Sequence, residues 1–157
     1  MAVGDTKTAI VKLASDYNKP AWQSNTDYSL GTIVRPTTPN DHVYECTTAG
    51  TSGTTEPVWP TTEGATVQDG SVVWTCRIGR LDIRPPEGEE WIIHNIVHGA
   101  SCELYKTDGT NRIKVDTSVG EGGWLNFNFH LTNSNWYSIK NISGDYAYFG
   151  YDGIQSK

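Results

Sequence analysis

Long apolar runs, basic clusters and a full set of paired cysteines are what this 157-residue sequence lacks. No stretch approaches the ~20 apolar residues needed to span a bilayer. The N-terminal stretch MAVGDTKTAIVKLASDYNKP has no apolar signal core, because Lys7 and Lys12 interrupt it and no small-residue cleavage site follows. Synthesis in the cytoplasm, without export by a standard signal, is therefore expected. Charged residues make up only 19% of the chain and leave a formal charge of −6. Residues 1–80 carry 6 basic and 8 acidic side chains, and residues 81–157 carry 6 and 10. Neither half has a Lys/Arg cluster, so no nucleic-acid partner is expected, since phosphate contacts dominate that affinity. The acidic balance likewise argues against an anionic membrane. Three cysteines are too few for a disulfide scaffold, and an odd number cannot pair completely within one chain.

What is abundant is Gly, Thr, Ser and Asn, which suits an all-β protein with many turns. A chain of this length buries about two-thirds of its unfolded surface, enough for one domain or two small ones. Residues 1–19 form an N-terminal arm or short helix. Over 3–17 the helix reading takes Asp5 or Thr6 as N-cap and Ile10, Val11 and Leu13 as the apolar side. Two and a half turns alone are marginal in water, so the segment needs a partner surface. Residues 20–80 read as a small β module. In it, strands at 43–48 and 71–77 flank a long polar excursion, with Asp69-Gly70 as a turn into the second. Residues 81–86 read as a linker, since Pro85 and Pro86 cannot donate to a central ladder.

Residues 87–157 supply about six short strands, at 91–97, 101–106, 112–116, 124–131, 136–141 and 146–151. Their spacing suggests a β-sandwich or jelly-roll-like unit. Within 124–131 the alternation of Leu125, Phe127, Phe129 and Leu131 with Trp124, Asn126, Asn128 and His130 has a period of two. One apolar face of that strand is expected to cover a core.

Reaction chemistry finds little footing. Glu87, Glu89 and Glu90 cluster in a Pro/Gly turn, and Glu56 and Asp69 lie in the excursion. A glycosidase needs two carboxylates ~5–9.5 Å apart across a cleft, whereas turn carboxylates are usually just solvated. His94 and His98 fall in HNIVH, which lacks the glutamate of the zinc-protease helix. On a strand they share a face yet stand roughly 13 Å apart, too far to hold one ion. His42 and His130 have no evident partners, and no G-x-S-x-G elbow occurs. Cys102 reads as a small buried hydrophobe. No enzyme, cofactor or metal site is expected.

The two flanking strands carry an aromatic residue two places before a cysteine, Tyr44/Cys46 and Trp74/Cys76. Residues i and i+2 of a strand face the same way, so the four can share a small core. A Cys46–Cys76 bridge would close about a 30-residue loop and contribute roughly 3–4 kcal/mol in the chain-entropy model. A reducing cytosol would delay or prevent it. Bridge and free thiols both stand as alternatives. Six Trp and eight Tyr are the heaviest functional signal, because aromatic faces stack on sugars and anchor interfaces. Trp74 and Trp91 sit in apolar strands and read as core. Trp59, near Pro57 and Pro60, reads as the most exposed.

The first unit carries a distinctive frame: W-x5-Y-x2-G-x2-V from Trp22, then VYEC, GTSGTTEPVWP and DG-x-V-x-W-x-C. Over roughly 60 residues this is similar to the small carbohydrate-binding modules of chitinases. It resembles still more a domain of tailed-bacteriophage virion proteins. The second unit, with IRPPEGEEWIIHNI, ELYKTDGTN, HLTNSNWYSIKN and YDGIQ, more weakly resembles a β-rich terminal domain of small phage structural proteins. The resemblance implies a virion surface protein, either on the head or in the tail adhesion apparatus. The leading expectation is a capsid decoration, or cement, protein bound to the major capsid protein on the head, where symmetric positions on the shell make a homotrimer the natural form. The alternative expectation is a tail-associated or displayed adhesin for a host-surface glycan. In that setting Trp22, Tyr28, Tyr44 and Trp59 are the carbohydrate- or partner-binding residues.

Overall fold

A computed structural model describes residues 3–157. Among them the chain is all β, with no helix and therefore none long and apolar enough to cross a membrane. In chain order, β1 (Thr6–Leu13) comes first. Then come β2 (Asp27–Tyr28), β3 (Ile33–Val34), β4 (His42–Thr48), β5 (Gly50–Thr51), β6 (Thr66–Asp69) and β7 (Val72–Ile78). They are followed by β8 (Arg80–Ile83), β9 (Glu90–His98), β10 (Cys102–Thr107) and β11 (Arg112–Ser118). The last four are β12 (Gly122–Trp124), β13 (Phe129–Thr132), β14 (Trp136–Asn141) and β15 (Ala147–Gln155).

These strands fall into two compact units. One is Ala14–Gly79; the other joins the N-terminal segment through Leu13 to Arg80–Lys157. The boundaries correct the expectation from sequence on both sides. The stretch read as an arm or short helix contains β1, which pairs antiparallel with β15 from Thr6↔Ile154 to Leu13↔Ala147. The period is two: Lys7, Ala9, Val11 and Leu13 turn inward while Thr6, Thr8, Ile10 and Lys12 stay exposed. As an edge strand β1 bonds β15 through alternate residues, and β15 supplies the partner surface that a lone short helix would lack. The stretch read as a linker begins with β8, which pairs with β14 before Pro85 and Pro86 end it.

In the Ala14–Gly79 unit, the sheet order is β3-β4-β7-β6, with β2 and β5 paired beside it. Its core is Trp22, Val34, Tyr44, Cys46, Val72, Trp74 and Cys76, with Tyr28, Trp59 and Val67 packed against them. The β6–β7 hairpin turns at Gly70 with φ +61°.

The other unit is sandwich-like. One sheet runs β1-β15-β9-β12, with β13 also on β9; the second runs β11-β10-β14-β8. Leu13, Ile93, Ile96 and Phe149 from the first, and Ile83, Leu104 and Ile139 from the second, are buried. The two sheets are stitched by Asn141 Nδ2 donating to the Leu13 carbonyl at 3.1 Å and by Trp124 Nε1 donating to Asp116 at 2.8 Å.

The strand expected over 124–131 is interrupted. Asn126 adopts φ +60°, its N–H bonds Asn95 Oδ1, and the Phe127 N–H bonds the His94 carbonyl. The chain therefore leaves the ladder between β12 and β13. Leu131 is buried as expected, but Leu125 and Phe127 are 53% and 50% exposed. The unbroken apolar face was only half realised.

Candidate binding surfaces

The aromatic residues singled out in the sequence do come together in the Ala14–Gly79 unit, but most of them are consumed there. Tyr44 and Trp74 are fully buried and Trp22 nearly so. Their centre is a carboxylate that sequence reasoning had passed over as solvated. Asp69 Oδ2 accepts from Trp22 Nε1 at 2.7 Å and from Trp74 Nε1 at 2.9 Å, and Oδ1 accepts from the Gly53 N–H at 2.8 Å. Asp69 is itself 4% exposed. A buried carboxylate with three donors is a satisfied hub rather than a free acid. The signal available beforehand was its place between two indoles and next to a turn glycine.

Tyr44 donates its hydroxyl to the Pro60 carbonyl at 2.7 Å and accepts from Asn40 Nδ2 at 2.8 Å. Burial first of all pushes its pKa up to about 12. Of the four predicted binding residues, Tyr44 and Trp22 are thus structural. Tyr28 and Trp59 keep part of their surface in solvent. Both lean on Trp74, edge-on at 4.8 Å and 6.0 Å between ring centroids, and Trp59 also lies 4.2 Å from Tyr44. Trp59 Nε1 donates to Glu56 Oε1 at 2.8 Å, and Glu56 also takes the Thr37 N–H and hydroxyl. Partial burial opposes ionisation of Glu56, but these hydrogen bonds outweigh it and hold the carboxyl below its ordinary range.

The two cysteines of this unit are free, which settles the alternatives left open above. The register sets Tyr44 opposite Cys76 and Cys46 opposite Trp74, so the thiols lie two positions out of step instead of facing each other. Burial raises the pKa of all three thiols, Cys76 to about 11 and Cys102 to about 12, which leaves them poor nucleophiles at neutral pH.

The remaining candidates for chemistry are tied into the second unit. Glu89 accepts from Trp91 Nε1 and from Lys7; Glu90 accepts from His130 and Lys157. His94 meets Asn128, and the buried His98 meets the carbonyls of Ala100 and Gly120. Among the described residues no three His, Cys, Asp or Glu side chains gather as a metal group.

Two surfaces escaped sequence reasoning. β11 ends its sheet, and six of its seven residues are exposed, including Ile113 at 70% and Val115 at 52%. Among the described residues no strand pairs with its outer edge, where the Thr117 N–H donates to Asp116 Oδ1 at 2.8 Å. The outer face of the five-stranded sheet carries an apolar hollow of about 300 Å³ rimmed by Ile10, Val97 and Tyr148. Glycines inside strands were the available hint, because they mark places where something approaches the backbone closely.

Fold and surfaces together define an all-β protein of two antiparallel units with open faces and edges. No protein-family model matches the chain, and no curated protein matches it.

Proposed function

We propose that this chain is a non-enzymatic structural protein of a tailed-bacteriophage virion, a decoration protein attached to the outside of the head shell through the major capsid protein. The observation that carries the reading is the exposed edge of β11, seven residues long and flanked by Ile113 and Val115. A strand of a shell subunit added there would gain main-chain hydrogen bonds, and the two apolar side chains would supply the packing. The β-bulge of β11 opposite Leu104/Tyr105, with Arg112 and Lys114 beside it, would limit indiscriminate pairing. Binding only the assembled shell, the protein stabilises it by mass action. The resemblance of the sequence to phage virion domains points the same way. Electron microscopy of virions labelled on this chain tests the proposal: label is expected over the head, and label at the tail tip alone overturns it.

A second reading, a carbohydrate-binding adhesin, is favoured by the half-buried Tyr28 and Trp59. Rings fixed from beneath by Trp74 offer a rigid stacking surface for a sugar. It predicts glycan binding by the isolated protein that Trp59→Ala abolishes. A glycan array without signal, from folded protein, removes it.

A further inference from the structure

The outer face of the five-stranded sheet has an order that goes beyond scattered apolar exposure. Ile10 is 78% exposed, Tyr148 60% and Val97 42%, and they enclose the hollow over Gly150 and Gly99. The ladder registers align these residues in transverse rows. Ile10 pairs with Gly150, Gly150 with Val97, and Val97 with Gly123. From β1 to β12 that row reads large, absent, large, absent. One row along, Lys12 pairs with Tyr148, whose carbonyl accepts from Gly99 N–H, and Glu121 stands one step before β12. That row reads cation, large, absent, anion.

From this pattern we propose that the face is a two-fold dimer interface whose occupant is the same face of a second copy of this chain. A two-fold axis parallel to the strands keeps each row in place and reverses the order of its columns. Ile10 of one copy then lies over Gly123 of the other, and Val97 over Gly150. Tyr148 lies over Gly99, and Lys12 meets Glu121. Every knob finds a glycine and the charges at the ends of the row are opposite, at both ends by symmetry. In the next row, where Thr8 pairs with Asp152, Asn95 Nδ2 already donates to Asp152 Oδ1 at 2.8 Å within each copy. Sheets stacked this way pack with strands aligned to within about 30°, so the central rows match best.

Self-complementarity of one patch is the mark of an isologous pair; a ring of three needs two different patches. The face therefore points to a dimer where symmetric positions on a shell had led to the expectation of a trimer. β1, β15 and β9, with the short β12 and β13 sharing the fourth column, stand ~4.8 Å apart and cover roughly 500 Å² on each copy. That is below the ~800 Å² per partner of a standard interface, so a reversible, concentration-dependent dimer is expected.

Sedimentation velocity of the full chain over a concentration series tests this. The expected result is a monomer–dimer equilibrium. Ile10→Asp, on a side chain 78% exposed, is expected to leave the circular dichroism unchanged and to weaken the dimer on the order of a hundredfold or more. Lys12→Glu weakens it on the order of tenfold, and adding Glu121→Lys restores it. A monomer throughout, a trimer, or a dimer indifferent to Ile10→Asp overturns the proposal. So does a charge-swapped double variant no tighter than Lys12→Glu alone.

Discussion

Asn in place of Asp69 turns one acceptor oxygen into a donor while leaving the shape intact, and so isolates what the buried carboxylate does. In the native unit both indoles donate to Oδ2, at 2.7 and 2.9 Å, and the Gly53 N–H donates to Oδ1 at 2.8 Å. An amide offers one acceptor oxygen. Turned toward the indoles, it loses the Gly53 bond and sets an NH2 against an N–H. Turned the other way, it loses both indoles. Hydrogen bonds to a charged group contribute roughly 1.5–3 kcal/mol each, and the surviving ones weaken when the charge is gone. The expected loss is about 3–5 kcal/mol. For a unit running from Ala14 to Gly79, this lowers the melting temperature by roughly 15–30 °C. The assay is thermal and urea unfolding followed by near-ultraviolet circular dichroism of the tryptophans. Asp69→Asn within about 1 kcal/mol of the native protein would refute the reasoning, because solvated carboxylates alone tolerate that change.

Further outcomes follow from the same unit and its thiols. The folded protein should resist alkylation at Cys46, Cys76 and Cys102 near pH 8 and gain no mass on treatment with a disulfide reductant, then take up three labels when denatured; a bridged Cys46–Cys76 species would contradict the register. Glu56 has a lowered folded-state pKa, so its stabilisation is full at neutral pH and is lost as pH falls below the ordinary carboxylate value of about 4.3. The Trp59 indole N–H resonance should therefore shift on acidification below that value in the native chain and lose this step in Glu56→Gln; a transition above pH 6 would contradict it. Gly70→Ala drives a Cβ into the Thr51 carbonyl oxygen, whereas Gly64→Ala, at φ +80°, meets nothing within 4 Å. Denaturation should show a loss of about 1 kcal/mol for Gly64→Ala, from backbone handedness alone, and at least twice that for Gly70→Ala.

Local pattern carried much of this protein into view. Runs rich in Val, Ile, Thr and aromatics, broken by Gly, Asn and Asp turns, were enough for the all-β class and for the pairing of β4 with β7 around Tyr44, Cys46, Trp74 and Cys76. These are properties of residues a few places apart, with periods and turn preferences that hold wherever the chain goes. Whether Thr6–Leu13 became helix or strand was not local, because its apolar residues suit either period; β15, at the far end of the chain, decided by pairing with it. The same holds for β8, for the break at Asn126, and for the step of two that keeps Cys46 and Cys76 apart. Asp69 looked like a loop carboxylate until the fold brought two indoles to it. The row of Ile10, Gly150, Val97 and Gly123 exists only across four paired strands. Composition and spacing set which elements form, while register, which is fixed by contacts between distant segments, decides which side chains are spent in the core and which remain for a partner.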